Sequence, residues 1–211
     1  MIRRMSFGLI FYYSLYSVSA QIFYGQGIRD AFSEFDLLGG AIPIPPETGV
    51  TFVEGMDGFP AFFIKADADI KSPHRMVLPE KLLEFAIMAI IRPETRNGGY
   101  IFSVVNPLDT VVQLGMHISP AIEDKWNLTL YYTDSSVHST SQKLISYEMP
   151  YAKKWTRIAL RVLSNEITIF LNCIEVETVT VKREPLELNF DSASTLYLAQ
   201  AGPIIKGNFV I

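Results

Sequence analysis

Acidic pairs are the first residues in this chain that could do chemistry. Glu34 and Asp36, in "SEFDLLGG", resemble the first part of an ExDxxE glucanase signature, in which two carboxylates flank a scissile glycosidic bond. The place of the third acid is taken by Gly39, and the pair falls in a stretch read as helical rather than on a mid-sheet strand, so the geometry for hydrolysis is not met. "KADADIK" sets Asp67 and Asp69 two apart, with Asp57 upstream in "EGMDG". Such oxygen-rich loops can hold calcium, but no complete ligand loop is present, and a solvated hairpin end explains the same residues. His74, His117 and His138 have no HxH or HxxxH spacing, so no metal centre is expected from them. Cys173, the single cysteine, has no basic neighbour to lower its pKa, which argues against a catalytic thiol.

Binding chemistry is the alternative. Lys153, Lys154, Arg157 and Arg161 gather at the start of one predicted strand, with Arg92, Arg96 and Lys182-Arg183 elsewhere. On a strand, Arg157 and Arg161 project to the same face and could meet sulfate groups of a glycosaminoglycan such as heparan sulfate. An ordinarily charged outer sheet face is the competing reading. Asn127-Leu128-Thr129 is a glycosylation sequon if Asn127 is exposed on an exported chain.

The elements that must position these residues are strands. Runs rich in β-branched and aromatic residues recur from Val50 onward: 50–53, 61–66, 83–91, 100–105, 110–118, 128–133, 143–149, 155–163, 166–172, 175–181, 195–199 and 208–211. Turn signals separate them, including Asn97-Gly98 and Ser164-Asn165, both read as hairpin turns. Trp155 opens its strand and reads as a core aromatic. Helix is confined to 31–40, closed by Gly39-Gly40, before the proline-rich "IPIPPETG". The pattern predicts an all-β antiparallel sandwich or barrel with a short N-terminal helix.

Residues 1–20 carry Arg3 and Arg4, a short apolar run and Val18-Ser19-Ala20, the plan of a signal peptide cleaved after Ala20. The run is shorter than the ~20 residues of a membrane span. Cleavage leaves 16 basic against 22 acidic residues, a net charge of −6 that disfavours nucleic-acid binding. The organisation expected is then a signal peptide at 1–20, an N-terminal segment with the helix and linker at 21–47, and one β domain at 48–211.

The runs "VTFVEGMDGFPAFFI", "EFAIMAIIRPETRNGGYIFSVVNPLDTVVQLGMHIS", "LTLYYTD", "WTRIALRVLSNEITIFLNCIEVET" and "TLYLAQAG", in this order and spacing, resemble the thrombospondin N-terminal-like, laminin-G-like domains. Within them the chain is most similar to the copies in multiplexin collagens, types XV and XVIII. The resemblance covers about 28–211. It implies a curved jelly-roll sandwich that is secreted, non-catalytic and free of cofactors, working in the extracellular matrix through matrix proteins and, as in several members, heparin-like chains such as heparan sulfate. It also implies a disulfide from Cys173 to a cysteine beyond Ile211, and trimerisation through collagenous regions downstream. An intermolecular disulfide or a free buried thiol stay open for Cys173. So does a stand-alone secreted glycosaminoglycan-binding or thrombospondin-type adhesion domain. No metal site carries over, and no membrane span is expected.

Overall fold

A computed structural model describes residues 21–25, 32–46 and 48–211. The proposed signal peptide lies outside the described residues. Two six-stranded antiparallel sheets face each other. The first runs β14 (Ile174–Thr180), β13 (Glu166–Leu171), β12 (Thr156–Val162), β7 (Phe85–Ile91), β1 (Gln21–Gly25) and β2 (Phe32–Asp36). The second runs β11 (Lys143–Pro150), β10 (Lys125–Tyr132), β9 (Val112–Ile118), β8 (Gly99–Val105), β16 (Thr195–Leu198) and β5 (Lys71–Pro73). Two small ribbons, β3 (Val50–Glu54) with β4 (Pro60–Ile64) and β6 (Lys81–Leu82) with β15 (Leu188–Asn189), complete the pairing. Neighbours distant in sequence, such as β12 beside β7 and β16 beside β8, show the chain crossing between sheets in the manner of a jelly roll.

Alternation places the core. Phe85, Ile87, Ala89 and Ile91 of β7 are buried, with Ile158, Leu160 and Val162 of β12 beside them. Phe102 and Val104 of β8, Leu114, Met116 and Ile118 of β9, and Leu128 and Leu130 of β10 belong to the same cluster from the second sheet. Residues two apart share a face, so each strand gives one row to the interior. β8 and β9 are buried on their other face too. There Tyr100, Val105, Val112, Tyr197 and Ala201 form a second cluster, roofed by the turn α2 (Gly202–Ile205).

Four sequence expectations change. The stretch 31–40 is not one helix: Phe32–Asp36 pairs with β1, and only Leu37–Ala41 forms the turn α1. The Asp36 carboxylate accepts the N–H groups of Leu38 and Gly39 at 3.1 Å each, so the helix begins where its cap sits. β1 pairs with β7, so this N-terminal stretch builds part of the first sheet. The Asn97-Gly98 turn does carry a positive φ at Gly98, 69°, yet it connects β7 to β8 in different sheets and is no hairpin. Ser164-Asn165, by contrast, joins the paired β12 and β13. The stretch 208–211 is extended but not a sheet strand, because its groups bond to three separate neighbours. Phe209 N–H donates to Ala199 (2.8 Å), Ile211 exchanges bonds with Ile64, and the Val210 carbonyl accepts from Glu94. Trp155 is only half-buried, under the Arg92 guanidinium 5.0 Å from its ring centroid. The core tryptophan is Trp126, 2% exposed and packed edge-on against Tyr151 and Phe209.

Candidate binding surfaces

The basic stripe lies on the outer face of the first sheet. Arg157 and Arg161 share that face of β12, as their spacing requires, and expose 36% and 50% of their side chains. Carboxylates meet most of this charge. Arg157 contacts Asp57 at 3.3 Å, Arg161 lies 3.9 Å from Glu166 and donates to Thr168, and Lys153 pairs with Glu94 at 3.0 Å. Lys154 is exposed and has no acidic partner among the described residues. The face is therefore mixed in charge. Asp57 reaches it because the β3–β4 ribbon brings a residue 100 positions away against β12.

Cys173 is exposed, which removes the reading as a buried thiol. With Asn172 it forms the two-residue turn between β13 and β14, both at positive φ (51° and 67°), as a type I′ hairpin demands. The turn is tied to β12: Asn172 N–H donates to the Arg157 carbonyl at 2.8 Å, and its Oδ1 accepts the Arg157 N–H at 3.1 Å. Ile211 lies at the same end of the first sheet, lining a groove with Ile91 and Trp155, next to Thr156, which pairs with Ile91. Asn127 is exposed on β10, opposite Glu148 of β11. Thr129 of its sequon is buried and bonded to Ser146 at 3.3 Å.

Asp67 and Asp69 line a cleft of about 520 Å³ that the sequence did not announce, together with Asp109, Tyr197, Gln200 and Asn208. The Tyr197 hydroxyl donates to Asp109 at 3.0 Å. Burial first, then Asp109 and Asp69, push that phenol up to about 12. Asp69 is engaged by Lys71 at 2.6 Å and by the Gln200 amide at 3.2 Å, while Asp57, in the turn between β3 and β4, is turned to Arg157 of β12. Among the described residues no group of three or more His, Cys, Asp or Glu is placed to hold a metal ion.

The histidines sit on separate elements. His74 is buried, bonded through Nδ1 to the Ser194 carbonyl at 2.9 Å and packed on Phe190. His117 lies between the rings of Tyr100 and Tyr131, where burial first and Lys143 second lower its pKa to about 4. His138 is in an exposed loop. Glu34 and Asp36 lie on β2, the edge of the first sheet, and Asp36 is spent as the cap of α1. Among the described residues no helix is long and apolar enough to cross a membrane.

No protein-family model matches the chain. Over 160 residues, 75% of its length, it is 26% identical to the collagen alpha-1(XVIII) chain of Homo sapiens, and the match spans 9% of that relative. Among solved structures, domain 4 of AbnA, a GH43 extracellular arabinanase from Geobacillus stearothermophilus, in complex with arabinotriose, aligns with a TM-score of 0.51 at 16% identity, over 81% of this chain and 75% of that one. Domains LG4-5 of the mouse laminin alpha1 chain align at 0.43 and 12% identity, over 69% and 37%. The resemblance seen in the sequence stands: this is an antiparallel jelly-roll β-sandwich, similar in sequence to a segment of a type XVIII collagen chain.

Proposed function

We propose that the chain is a secreted, non-catalytic module of an extracellular-matrix protein, a non-collagenous domain of a collagen XV/XVIII-like chain. The observation that carries this reading is the 160-residue similarity to collagen XVIII, which runs through most of the sandwich. The carboxylate geometry supports a binding rather than a hydrolytic role, since Glu34 and Asp36 sit at a sheet edge and Asp36 caps a helix. In this reading Cys173 pairs with a cysteine following Ile211, consistent with its exposure at the end of the sheet where Ile211 lies. Asn127 carries an N-linked glycan, and trimerisation comes from collagenous sequence downstream.

Matrix proteins are the partners of this reading, with heparan sulfate a further ligand at Lys153, Lys154, Arg157 and Arg161. Because three of these four residues already face carboxylates, the interaction is weak and salt-sensitive. The test is retention on immobilised heparin. Arg157→Ala with Arg161→Ala removes two exposed charge contacts worth about 1 kcal/mol together, roughly a fivefold loss of affinity, and elution moves to lower salt. Elution at unchanged salt rejects this face as the glycan site.

A further inference from the structure

Arg183 lies in the strap 181–187 that crosses from β14 to β15, and it is 4% exposed. Its Nε, Nη1 and Nη2 are all buried and none makes a well-directed hydrogen bond among the described residues, the Tyr132 hydroxyl being the one polar group recorded as interacting with the guanidinium. Its guanidinium carbon lies 5.6 Å from the centroid of the Tyr132 ring. A cation over an aromatic face is attracted to it, but that attraction does not replace the directed oxygen acceptors that five N–H groups call for. A guanidinium keeps its charge on burial, unlike a lysine or histidine, so it is stabilised by acceptor oxygens, and most strongly by those of an anion.

The carboxylates of this region are committed elsewhere. On the strap itself, Glu184 pairs with Lys182 and Glu187 with Lys81 at 2.8 Å. Asp134, two residues beyond Tyr132, accepts the Ser136 N–H at 2.7 Å. The strap is closed from the other side by the Tyr132 hydroxyl, which donates to the carbonyls of Pro185 (2.9 Å) and Leu186 (3.3 Å). One residue thus supplies both the ring under Arg183 and the latch on the segment that covers it.

We propose that Arg183 is the anchor of a binding site for a small oxyanion, which enters when the strap lifts from Tyr132 and is gripped by the guanidinium fork. Two parallel N–H donors fit the oxygens of a sulfate, phosphate or carboxylate group, a match that a point-charge ammonium does not offer. The site is separate from the basic face of β12.

The test uses the full chain at constant ionic strength, with sodium sulfate and a heparin-derived disaccharide as probes, read by titration calorimetry and by the thermal midpoint. Wild type is expected to bind sulfate saturably at millimolar concentration with a rising midpoint. Arg183→Met, close in length but uncharged, loses that response. Arg183→Lys, which keeps the charge and loses the fork, binds at least tenfold more weakly, and this second variant keeps the test valid if Arg183→Met does not fold. Tyr132→Phe unlatches the strap and accelerates sulfate binding. Binding of the disaccharide alone, dependent on Arg183, also supports the site and makes a glycan sulfate its source. Absence of binding by both probes, or equal binding by wild type and Arg183→Lys, overturns it.

Discussion

Replacing Trp126 by alanine is expected to destabilise the sandwich by about 3–5 kcal/mol, the range for emptying a large aromatic site. The ring is 2% exposed and is wedged between Tyr151 and Phe209, both edge-on at centroid distances of 4.9 and 6.2 Å. Phe209 belongs to the segment tied to Ala199, so the cavity would open under a stretch that no continuous ladder holds. For a chain of this size each kcal/mol moves the thermal midpoint by ~2–4 °C, giving a fall of roughly 6–20 °C. Trp126→Phe separates two contributions. It keeps a ring in the site and removes the indole N–H, which is buried with no partner among the described residues. An unsatisfied buried donor costs about 1–3 kcal/mol, so the phenylalanine variant regains part of what it loses in packing. Urea unfolding of the three proteins should rank wild type and Trp126→Phe close together, with Trp126→Ala far below. A Trp126→Ala midpoint near that of wild type would show that this ring does not hold the sheets together.

Gly98→Ala is the second large effect, about 2–5 kcal/mol. At φ 69° an alanine pays ~1–2 kcal/mol for the left-handed conformation. Its Cβ would also lie 2.3 Å from the Ile118 carbonyl oxygen and 2.6 Å from the Ser119 carbonyl group, all of it backbone. Relief requires the end of β9 to move, and such overpacking costs ~1–3 kcal/mol. Gly58 provides the control, since its φ is 77° and nothing lies within 4 Å of the added Cβ. Gly58→Ala therefore reports the conformational cost alone, and the difference between the variants is the clash. Equal losses in chemical denaturation would show that β9 does not press on Gly98.

Much of the fold was legible because side chains in a strand alternate at a period of two. In β12, Ile158, Leu160 and Val162 face the core, and Arg157 and Arg161 face outward, as the spacing alone required. Partnership between strands was not legible. That β7 and β8 part into separate sheets depends on contacts far along the chain, and Asn97-Gly98 looks locally like any hairpin turn. β5, β6 and β15 have only two or three residues each, too few for a period to show. β2 lay within a helical-looking stretch because local propensity is a weak guide once an edge position beside β1 is available.

The candidate sites were less legible than the strands. The Arg157 and Arg161 stripe was readable, but the carboxylate of Asp57 that meets it comes from another ribbon. Cys173 looked like a residue within a buried strand, yet it forms the exposed turn between two strands, because β13 ends at Leu171. Nothing in "VKREP" distinguishes the exposed Lys182 from the buried Arg183, since burial there follows from where the strap lies across Tyr132.

The reading as a matrix-collagen module is tested most directly by following the coding sequence beyond Ile211. A cysteine within a few tens of codons, followed by uninterrupted Gly-X-Y triplets, is the predicted result; it gives Cys173 its partner and the sandwich its collagenous continuation. An in-frame stop immediately after Ile211, or continuation into modules without such triplets, would contradict the assignment and leave a stand-alone adhesion or glycan-binding domain in its place.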